Sequence, residues 1–198
     1  MNTKQSIFIH GLFGESILPP ENSKVVTPYF LDSLSQLDLR SDDVIVAYSF
    51  GARKLLSLIH KEGFPDIKHI HIVSAHIGCK NRVKRIQLED HILEKMNDKS
   101  FLSFWNELPL FEKDANIQID LDKLPFYRKI FDQNRLSNSP DYNLLIEKWE
   151  NKMTLHCGEF DHKIKEQYIK FKNTVVHPNC SHRGPLYLLE PFINGVLK

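Results

Sequence analysis

Short runs of apolar and β-branched residues recur near both ends of this sequence, and stretches with helical spacing separate them. Six such runs predict strands: Ser6–His10, Lys24–Pro28, Val44–Tyr48, His69–Ser74, Met153–Cys157 and Asn173–His177. Several are apolar at nearly every position, which is typical of strands buried on both faces of a parallel sheet. Helices are predicted at Leu31–Leu37, Gly51–Lys61, Lys163–Ile169 and Leu188–Leu197. This alternation predicts an α/β fold with a mostly parallel sheet of about six strands, flanked by helices.

The strand pattern stops between Gly78 and Lys152. Helical spacing fills this stretch at Val83–Met96, Phe101–Glu107 and Tyr142–Glu150, with interruptions at Pro109, Pro125 and Pro140. Because the stretch lies between two predicted strands, we predict a helical cap at residues 79–151. The core would then consist of residues 1–78 and 152–198.

Size and charge exclude several classes of protein. The 198 residues suffice for one domain with a substantial core. A formal net charge of +1 offers no basic field for nucleic acid or an acidic membrane surface. No apolar run approaches the roughly 20 residues that span a bilayer, and the N-terminus lacks the apolar segment of a signal peptide. We therefore expect a soluble, cytoplasmic protein, a monomer or small homo-oligomer, that binds a small molecule and neither nucleic acid nor a membrane.

Cysteine and histidine spacing gives no indication of a metal or a cofactor. The three cysteines, Cys79, Cys157 and Cys180, are odd in number and form no C-x-x-C pair, so we expect reduced thiols. His69 and His71 would share one face of a strand, but no carboxylate pair accompanies them. We predict no metal site and no cofactor.

Ser49 follows the strand Val44–Tyr48 directly and precedes a predicted helix. At such a turn the hydroxyl is exposed at the edge of the sheet, beside the positive end of the helix. Ala47 and Gly51 are small enough for a tight turn, as in the G-x-S-x-G motif of α/β-hydrolases. Ser49 is therefore predicted to be a catalytic nucleophile or base; the alternative is a serine that only caps the helix.

The loop after the first predicted strand reads His10-Gly11-Leu12-Phe13-Gly14. In the α/β-hydrolase fold, a His-Gly pair followed by a bulky residue places one backbone N–H of an oxyanion hole. Here that donor would be the N–H of Leu12, and the second would be the N–H of Phe50.

Two later strand ends carry the remaining candidates for a catalytic triad. Asp161 lies in the turn after Met153–Cys157, and His182 follows the last predicted strand. The order Ser49, Asp161, His182 is that of the α/β-hydrolase triad, in which the histidine transfers the proton and the carboxylate orients it. Glu159 is the alternative carboxylate and His177 the alternative base.

Several motifs resemble one family within this fold more closely. Ala47-Tyr48-Ser49-Phe50-Gly51-Ala52-Arg53 is similar to the G-Y-S-[ML]-G-G-R motif of 2-succinyl-6-hydroxy-2,4-cyclohexadiene-1-carboxylate (SHCHC) synthases of menaquinone biosynthesis. The cap contains similar matches: Gly78 with Arg82 and Arg85, the segment Phe104–Phe111 with Trp105 and Pro109, and Arg135-Leu136-Ser137-Asn138. Gly158, Glu159, Asp161 and Lys163 match the family's G-E-x-D-x-K turn.

The resemblance implies a lyase that eliminates pyruvate from a cyclohexene carboxylate, with Ser49 as the base and His182 and Asp161 assisting. Arg53, Arg85 and Arg135 would pair with substrate carboxylates, while Tyr48 and Trp105 would supply apolar walls and a hydrogen bond. The alternative for the arginines is an ordinary surface ion pair.

The sequence also departs from this family. The D-L-P-G-H-G loop after the second strand is replaced by Thr27-Pro28-Tyr29-Phe30-Leu31-Asp32, and the leading β-hairpin is predicted to be absent. Two other functions therefore stay open. One is a carboxylesterase or thioesterase that uses Ser49 covalently. The other is a hydrolase-fold protein that only binds a ligand.

Overall fold

The computed structural model of the protein describes residues 6–14, 19 and 23–189. One sheet holds six parallel strands: β1 (Ser6–Ile9), β2 (Ser23–Val26), β3 (Val44–Tyr48), β4 (His69–Val73), β5 (Met153–Gly158) and β6 (Thr174–His177). Their order is β2-β1-β3-β4-β5-β6. The predicted α/β fold with a parallel sheet of about six strands is confirmed.

The order of the strands reverses between β1 and β3. The chain first runs outward from β1 to the edge strand β2, then crosses back to β3 and continues toward β6. In an open parallel sheet, such a reversal opens a crevice at the carboxyl ends of the two strands, where ligands bind. All five residues of β3 are buried, so the segment that follows it has a rigid base.

Within the described residues, six α-helices accompany the sheet: α1 (Phe50–Glu62), α2 (Arg82–Lys95), α3 (Phe101–Asn106), α4 (Leu124–Gln133), α5 (Asn143–Lys148) and α6 (His162–Tyr168). The longest core helix, α1, begins directly after Ser49 and ends at Gly63, whose positive φ of 93° suits glycine. It buries Leu55, Leu56 and Ile59 against the sheet.

Two apolar clusters form the core. The first lies on the face of the sheet covered by α1 and α6 and includes Ile7, Ile45 and Ile72. The second joins the opposite face to the helices between β4 and β5, with Phe8 and Val46 in the same cluster as Ile92 and Phe131. The helical segment is thus packed onto the sheet through shared apolar contacts.

All elements between Val73 and Met153 are helical, and the division of the chain into a core and a cap at residues 79–151 stays a prediction. One helix, α4, is absent from our sequence-based prediction because Pro125 suggests a break. In the structure Pro125 lies in the first turn of α4, where its missing N–H removes no helical hydrogen bond.

The predicted helix Leu31–Leu37 is wrong. Two short 3-10 turns, Pro28–Phe30 and Leu34–Leu37, occupy this part of the chain. Ser33 caps the second turn in a capping box with Gln36, and Asp38 ends it with a left-handed φ of 52°. Four residues between these two signals are too few for a stable α-helix.

Some predictions lie at or beyond the limits of the described residues. Of the predicted helix Leu188–Leu197, only Leu188 and Leu189 are described, and Leu188 ends the 3-10 turn Gly184–Leu188. The predicted absence of a leading hairpin concerns residues before Ser6, which are outside the described part of the chain. Within that part, no helix has both the length and the hydropathy needed to cross a membrane.

Candidate active site

The side chains of Ser49, His182 and Asp161 form a hydrogen-bonded relay at the carboxyl ends of three strands. Ser49 Oγ lies 3.0 Å from His182 Nε2, and His182 Nδ1 lies 2.5 Å from Asp161 Oδ2. Asp161 and His182 are only 3% and 4% exposed, so water barely competes for these hydrogen bonds. The structure therefore brings together the three residues that the sequence predicts as a triad. A protein that only binds a ligand would not need this relay.

The backbone at Ser49 is strained, with a φ of 48° and a ψ of −110°. This conformation is rare for residues other than glycine and holds the side chain out from the end of β3. The start of α1 also lies very close to the end of β1. A Cβ at Gly51 would lie only 2.3 Å from the carbonyl oxygen of His10. The small residue two positions after Ser49 is therefore a steric requirement of the turn.

Leu12 and Phe50, the predicted oxyanion-hole residues, both line the cavity beside Ser49. Phe50 is the first residue of α1, and N–H groups in a first helical turn have no partner within the helix. The loop that carries Leu12 is held by a hydrogen bond from Phe13 N–H to the hydroxyl of Tyr29, at 3.1 Å. Their role as donors to an oxyanion stays a prediction.

The alternative triad residues, Glu159 and His177, form hydrogen bonds with residues outside the relay. A carboxylate oxygen of Glu159 accepts a hydrogen bond from the N–H of Asn179. The ring of His177 lies within the sheet, with its Nε2 3.0 Å from Nδ1 of His156. Neither Glu159 nor His177 lies among the described residues that line the cavity.

A cavity of about 440 Å³ opens at Ser49, between the sheet edge and the helices that follow β4. Four predicted substrate-binding residues line it: Tyr48, Arg53, Arg85 and Trp105. The fifth, Arg135, lies outside, where its guanidinium binds the carboxylates of Asp90 and Asp132. This matches the alternative of a surface ion pair for Arg135.

The two predicted arginines that line the cavity, Arg53 and Arg85, differ in the contacts that hold them. Arg85 Nε binds a carboxylate oxygen of Glu89 at 2.8 Å, and the fully buried Glu89 also accepts hydrogen bonds from Leu136 N–H and the Ser137 hydroxyl. Arg53 donates to the carbonyl of Asn134. Burial, and then the charge of Arg85, lower the pKa of Arg53 to about 10. No carboxylate of the described residues forms an ion pair with Arg53.

Further residues of the cavity, Ser74, His76, Lys163 and Arg183, have no predicted role in binding. Arg183 is 2% exposed, and its guanidinium lies 3.7 Å from the centre of the Phe111 ring. It also donates to the carbonyl of Ala115 at 2.8 Å. Its position directly after His182 is the sequence signal that could have identified it.

The segment after α3 holds the loop that carries His182. The carboxylate of Asp114 accepts hydrogen bonds from the N–H groups of Arg183, at 2.8 Å, and Gly184, at 3.1 Å. The N–H of His182 itself donates to the carbonyl of Leu110. The segment after α3 therefore restrains His182 as well as lining part of the cavity.

The cysteines and the strand histidines lie apart from the relay. Burial raises the pKa of Cys157 to about 12 and that of Cys180 to about 11, so both thiols stay protonated at neutral pH. His69 is hydrogen-bonded to the hydroxyl of Thr154, and His71 to the ring of His156. No group of three potential metal ligands occurs within the described ranges.

No protein-family model matches the sequence, and a comparison with curated proteins found no similar sequence. Solved structures do share its fold. MenH from S. aureus has a TM-score of 0.62 at 15% identity, with 98% of this chain and 91% of that chain covered. A thermophilic esterase from Thermogutta terrifontis gives 0.57 at 11% identity, with 98% and 88% covered. A bromoperoxidase from Bacillus anthracis gives 0.56 at 13% identity, with 98% and 91% covered. These similarities establish the α/β-hydrolase fold, which carries several different chemistries.

Proposed function

We propose that the protein is a cytoplasmic lyase that eliminates pyruvate from 2-succinyl-5-enolpyruvyl-6-hydroxy-3-cyclohexene-1-carboxylate and forms SHCHC. The observation that carries this proposal is the charge of the cavity. Arg53, Arg85, Lys163 and Arg183 line it, while Asp161 is the one carboxylate among its described lining residues and is bound to His182. Such a cavity favours a small substrate with several carboxylates.

Two further observations support this substrate class. Trp105 and Phe111, from the cap motif that resembles SHCHC synthases, lie in the wall of the cavity with their rings 5.6 Å apart. MenH, an SHCHC synthase, is among the proteins that share the fold. The apolar wall would hold the ring of the substrate while the arginines bind its carboxylates.

The relay can transfer a proton without forming a covalent intermediate. Ser49 Oγ would take a proton from the substrate ring while its own proton passes to His182 Nε2, 3.0 Å away. The electrons of the broken C2–H bond form a new C2=C3 double bond, the existing C3=C4 double bond shifts to C4=C5, and the C5–O bond to enolpyruvate breaks with its electrons leaving on the oxygen. Asp161 stabilises the His182 imidazolium, which returns its proton to the departing oxygen. Released enolpyruvate then tautomerises to pyruvate.

Pyruvate release from the tricarboxylate substrate tests the proposal. We expect turnover by the wild type and a decrease of roughly 10²- to 10⁴-fold in kcat for Ser49→Ala, because the proton acceptor is lost. Ser103→Ala, at an exposed serine of α3, is the control and should retain full activity. An inactive wild type, or an unaffected Ser49→Ala variant, would refute the proposal.

A serine hydrolase, acting as a carboxylesterase or thioesterase, is the second candidate. The strained backbone at Ser49 favours it, since the same geometry exposes the covalent nucleophile of hydrolases. Leu88, Ile92 and Phe131 also give the cavity an apolar wall that an acyl group could contact. A rapid burst of product from an aryl ester, without pyruvate release, would favour this candidate.

A further inference from the structure

Two polar side chains on the loop after β4 line the cavity but take no part in the relay. Ser74 follows the last residue of β4, and His76 comes two residues later. The hydroxyl of Ser74 is fully buried and has no hydrogen-bond partner among the described residues. An unpaired hydroxyl in this position costs free energy in the absence of a ligand or water.

Helix α6 holds this loop in place. The hydroxyl of Tyr168 accepts a hydrogen bond from Ala75 N–H, at 2.8 Å, and donates to Ala75 O, at 2.7 Å. Tyr168 is itself fully buried. Ser74 and His76, on either side of Ala75, are therefore preorganised rather than free to rearrange.

The hydrogen-bond network defines the tautomer of His76. Gln167 Oε1 accepts from Ile77 N–H at 3.0 Å, so the Gln167 amide presents its NH₂ group to His76 Nδ1, also at 3.0 Å. Nδ1 must then be the acceptor, and the proton of a neutral ring is on Nε2. No described residue accepts a hydrogen bond from Nε2.

The environment keeps this imidazole neutral. Burial lowers the pKa of His76 well below its usual value, and the charges of Arg85, His182, Arg53 and Lys163 lower it further. His76 is thus a neutral N–H donor surrounded by cations, the kind of group that binds an anionic oxygen without transferring a proton.

We propose that His76 Nε2–H and the Ser74 hydroxyl form a second substrate-binding element, which binds a carboxylate of the anionic substrate next to Arg85. This inference rests on the proposed function for its substrate class. It assigns His76 a role in specificity, while Gln167 is a positioning residue that acts through His76.

Binding of tricarballylate, a simple tricarboxylate, tests the proposal without turnover, by titration calorimetry at pH 7.5. His76→Asn retains a group that can reach Gln167 but removes the donor at Nε2, and we expect Kd to rise about tenfold. His76→Gln places an amide N–H near the position of Nε2 and should restore most of the affinity. Equal affinity of the wild type and His76→Asn would overturn the proposal, as would equal losses in both variants.

The Ser74→Ala variant distinguishes a role of this hydroxyl in ligand binding from a role in the stability of the fold. Because the buried hydroxyl has no partner, its removal should leave Tm unchanged or raise it, while Kd for tricarballylate rises several-fold. Gln167→Leu should weaken binding, and Gln167→His, which can donate to Nδ1 of His76, should partly rescue it. A Ser74→Ala variant with a lowered Tm and unchanged Kd would indicate a purely structural role.

Failure of this inference differs from failure of the proposed function. If the wild type binds tricarballylate in a manner that depends on His76 but releases no pyruvate, the binding element stands and the reaction is wrong. If pyruvate is released with the same KM by the wild type and His76→Asn, the reaction stands and the binding element is wrong. A wild type that does not bind tricarballylate contradicts the inference directly.

Discussion

At the scale of single residues, two cations of the cavity, Arg53 and Arg183, form no ion pair with a carboxylate of the described residues, in contrast to cations at the surface. Lys54, Lys80 and Arg135 each pair with a carboxylate near the surface. Arg53 and Arg183 contact carbonyl groups and aromatic rings instead. The charges of Glu89 and Asp114 act on Arg53 and Arg183 respectively, but neither carboxylate forms an ion pair with them, so the proposed anionic ligand would add a close counter-charge.

Arg85 and Arg135 both bind carboxylates, but only Arg85 lines the cavity, so the two form a matched pair for testing the binding of an anionic substrate. We expect Arg85→Ala to raise KM for the tricarboxylate substrate roughly ten- to a hundredfold, because a charge-assisted contact is lost. Arg135→Ala should change KM less than about twofold, since its guanidinium is occupied by Asp90 and Asp132 outside the cavity. Steady-state kinetics of pyruvate release measure both. Comparable effects of the two substitutions would contradict the assignment.

At the scale of elements, the position of Ser49 depends on how closely α1 approaches β1. Leu12 follows β1 and Ser49 follows β3, and the two strands are neighbours in the sheet. The hydroxyl of Tyr29, from the segment after β2, accepts a hydrogen bond from the N–H of Phe13 in the same region. This part of the chain thus supports the β1 loop although the family's usual loop sequence is absent.

Gly51→Ala tests the close approach. Its Cβ would lie 2.3 Å from the His10 carbonyl oxygen, so α1 must shift away from β1. We expect a loss of about 1–3 kcal/mol in the free energy of unfolding from overpacking, together with a fall in kcat, despite the better helix propensity of alanine. Urea denaturation and pyruvate release measure the two effects.

Gly78→Ala serves as the control for this prediction. There the nearest atom to a new Cβ is Asp141 Oδ2, at 3.1 Å, which belongs to the end of a side chain that can move. Its stability and kcat should stay near the wild-type values. If Gly51→Ala behaves in the same way, the close contact is not what positions Ser49.

At the scale of the whole molecule, three buried histidines cross three neighbouring strands. His71 Nδ1 lies 2.9 Å from His156 Nε2, and His156 Nδ1 lies 3.0 Å from His177 Nε2. Burial lowers the pKa of His177 and lowers that of His156 well below its usual value; for His156 the charges of its histidine neighbours add to the effect. This row connects β4, β5 and β6 on one face of the sheet.

The row of buried histidines predicts that the free energy of unfolding decreases in acid. Below about pH 6.5 the unfolded chain binds protons on His156 and His177 that the folded protein binds less readily, so the free energy of unfolding falls as the pH is lowered. Each histidine that stays neutral in the fold contributes up to about 1.4 kcal/mol between pH 7.5 and 5.5. Urea denaturation at the two pH values measures this difference.

His156→Gln should reduce that pH dependence, because the amide can form hydrogen bonds but does not titrate. His91→Gln, at an exposed histidine of α2, is the control and should keep the wild-type dependence. An identical pH dependence for the wild type and His156→Gln would show that the buried row does not carry the effect.

Much of the fold and the relay could be predicted from the sequence because their signals are local. Buried strands such as Val44–Tyr48 are apolar at every position, and their parallel arrangement brings all strand ends to one edge. Ser49, Asp161 and His182 each follow a strand, so their convergence follows from the topology. The errors have local causes too: the turn signals at Ser33 and Asp38 shorten a predicted helix, and Pro125 begins one instead of ending it.

Which side chains line the cavity, and how they are oriented, depends on residues that are far apart in the chain. Short-range sequence patterns therefore do not predict it. Arg85 and Arg135 have similar sequence signals, yet the first lines the cavity and the second binds Asp90 and Asp132 outside it. The tautomer of His76 is determined by Gln167, 91 residues away. Strand propensity and motif spacing are properties of neighbouring residues, whereas the direction of a charge or a proton depends on which distant side chains the fold brings beside it.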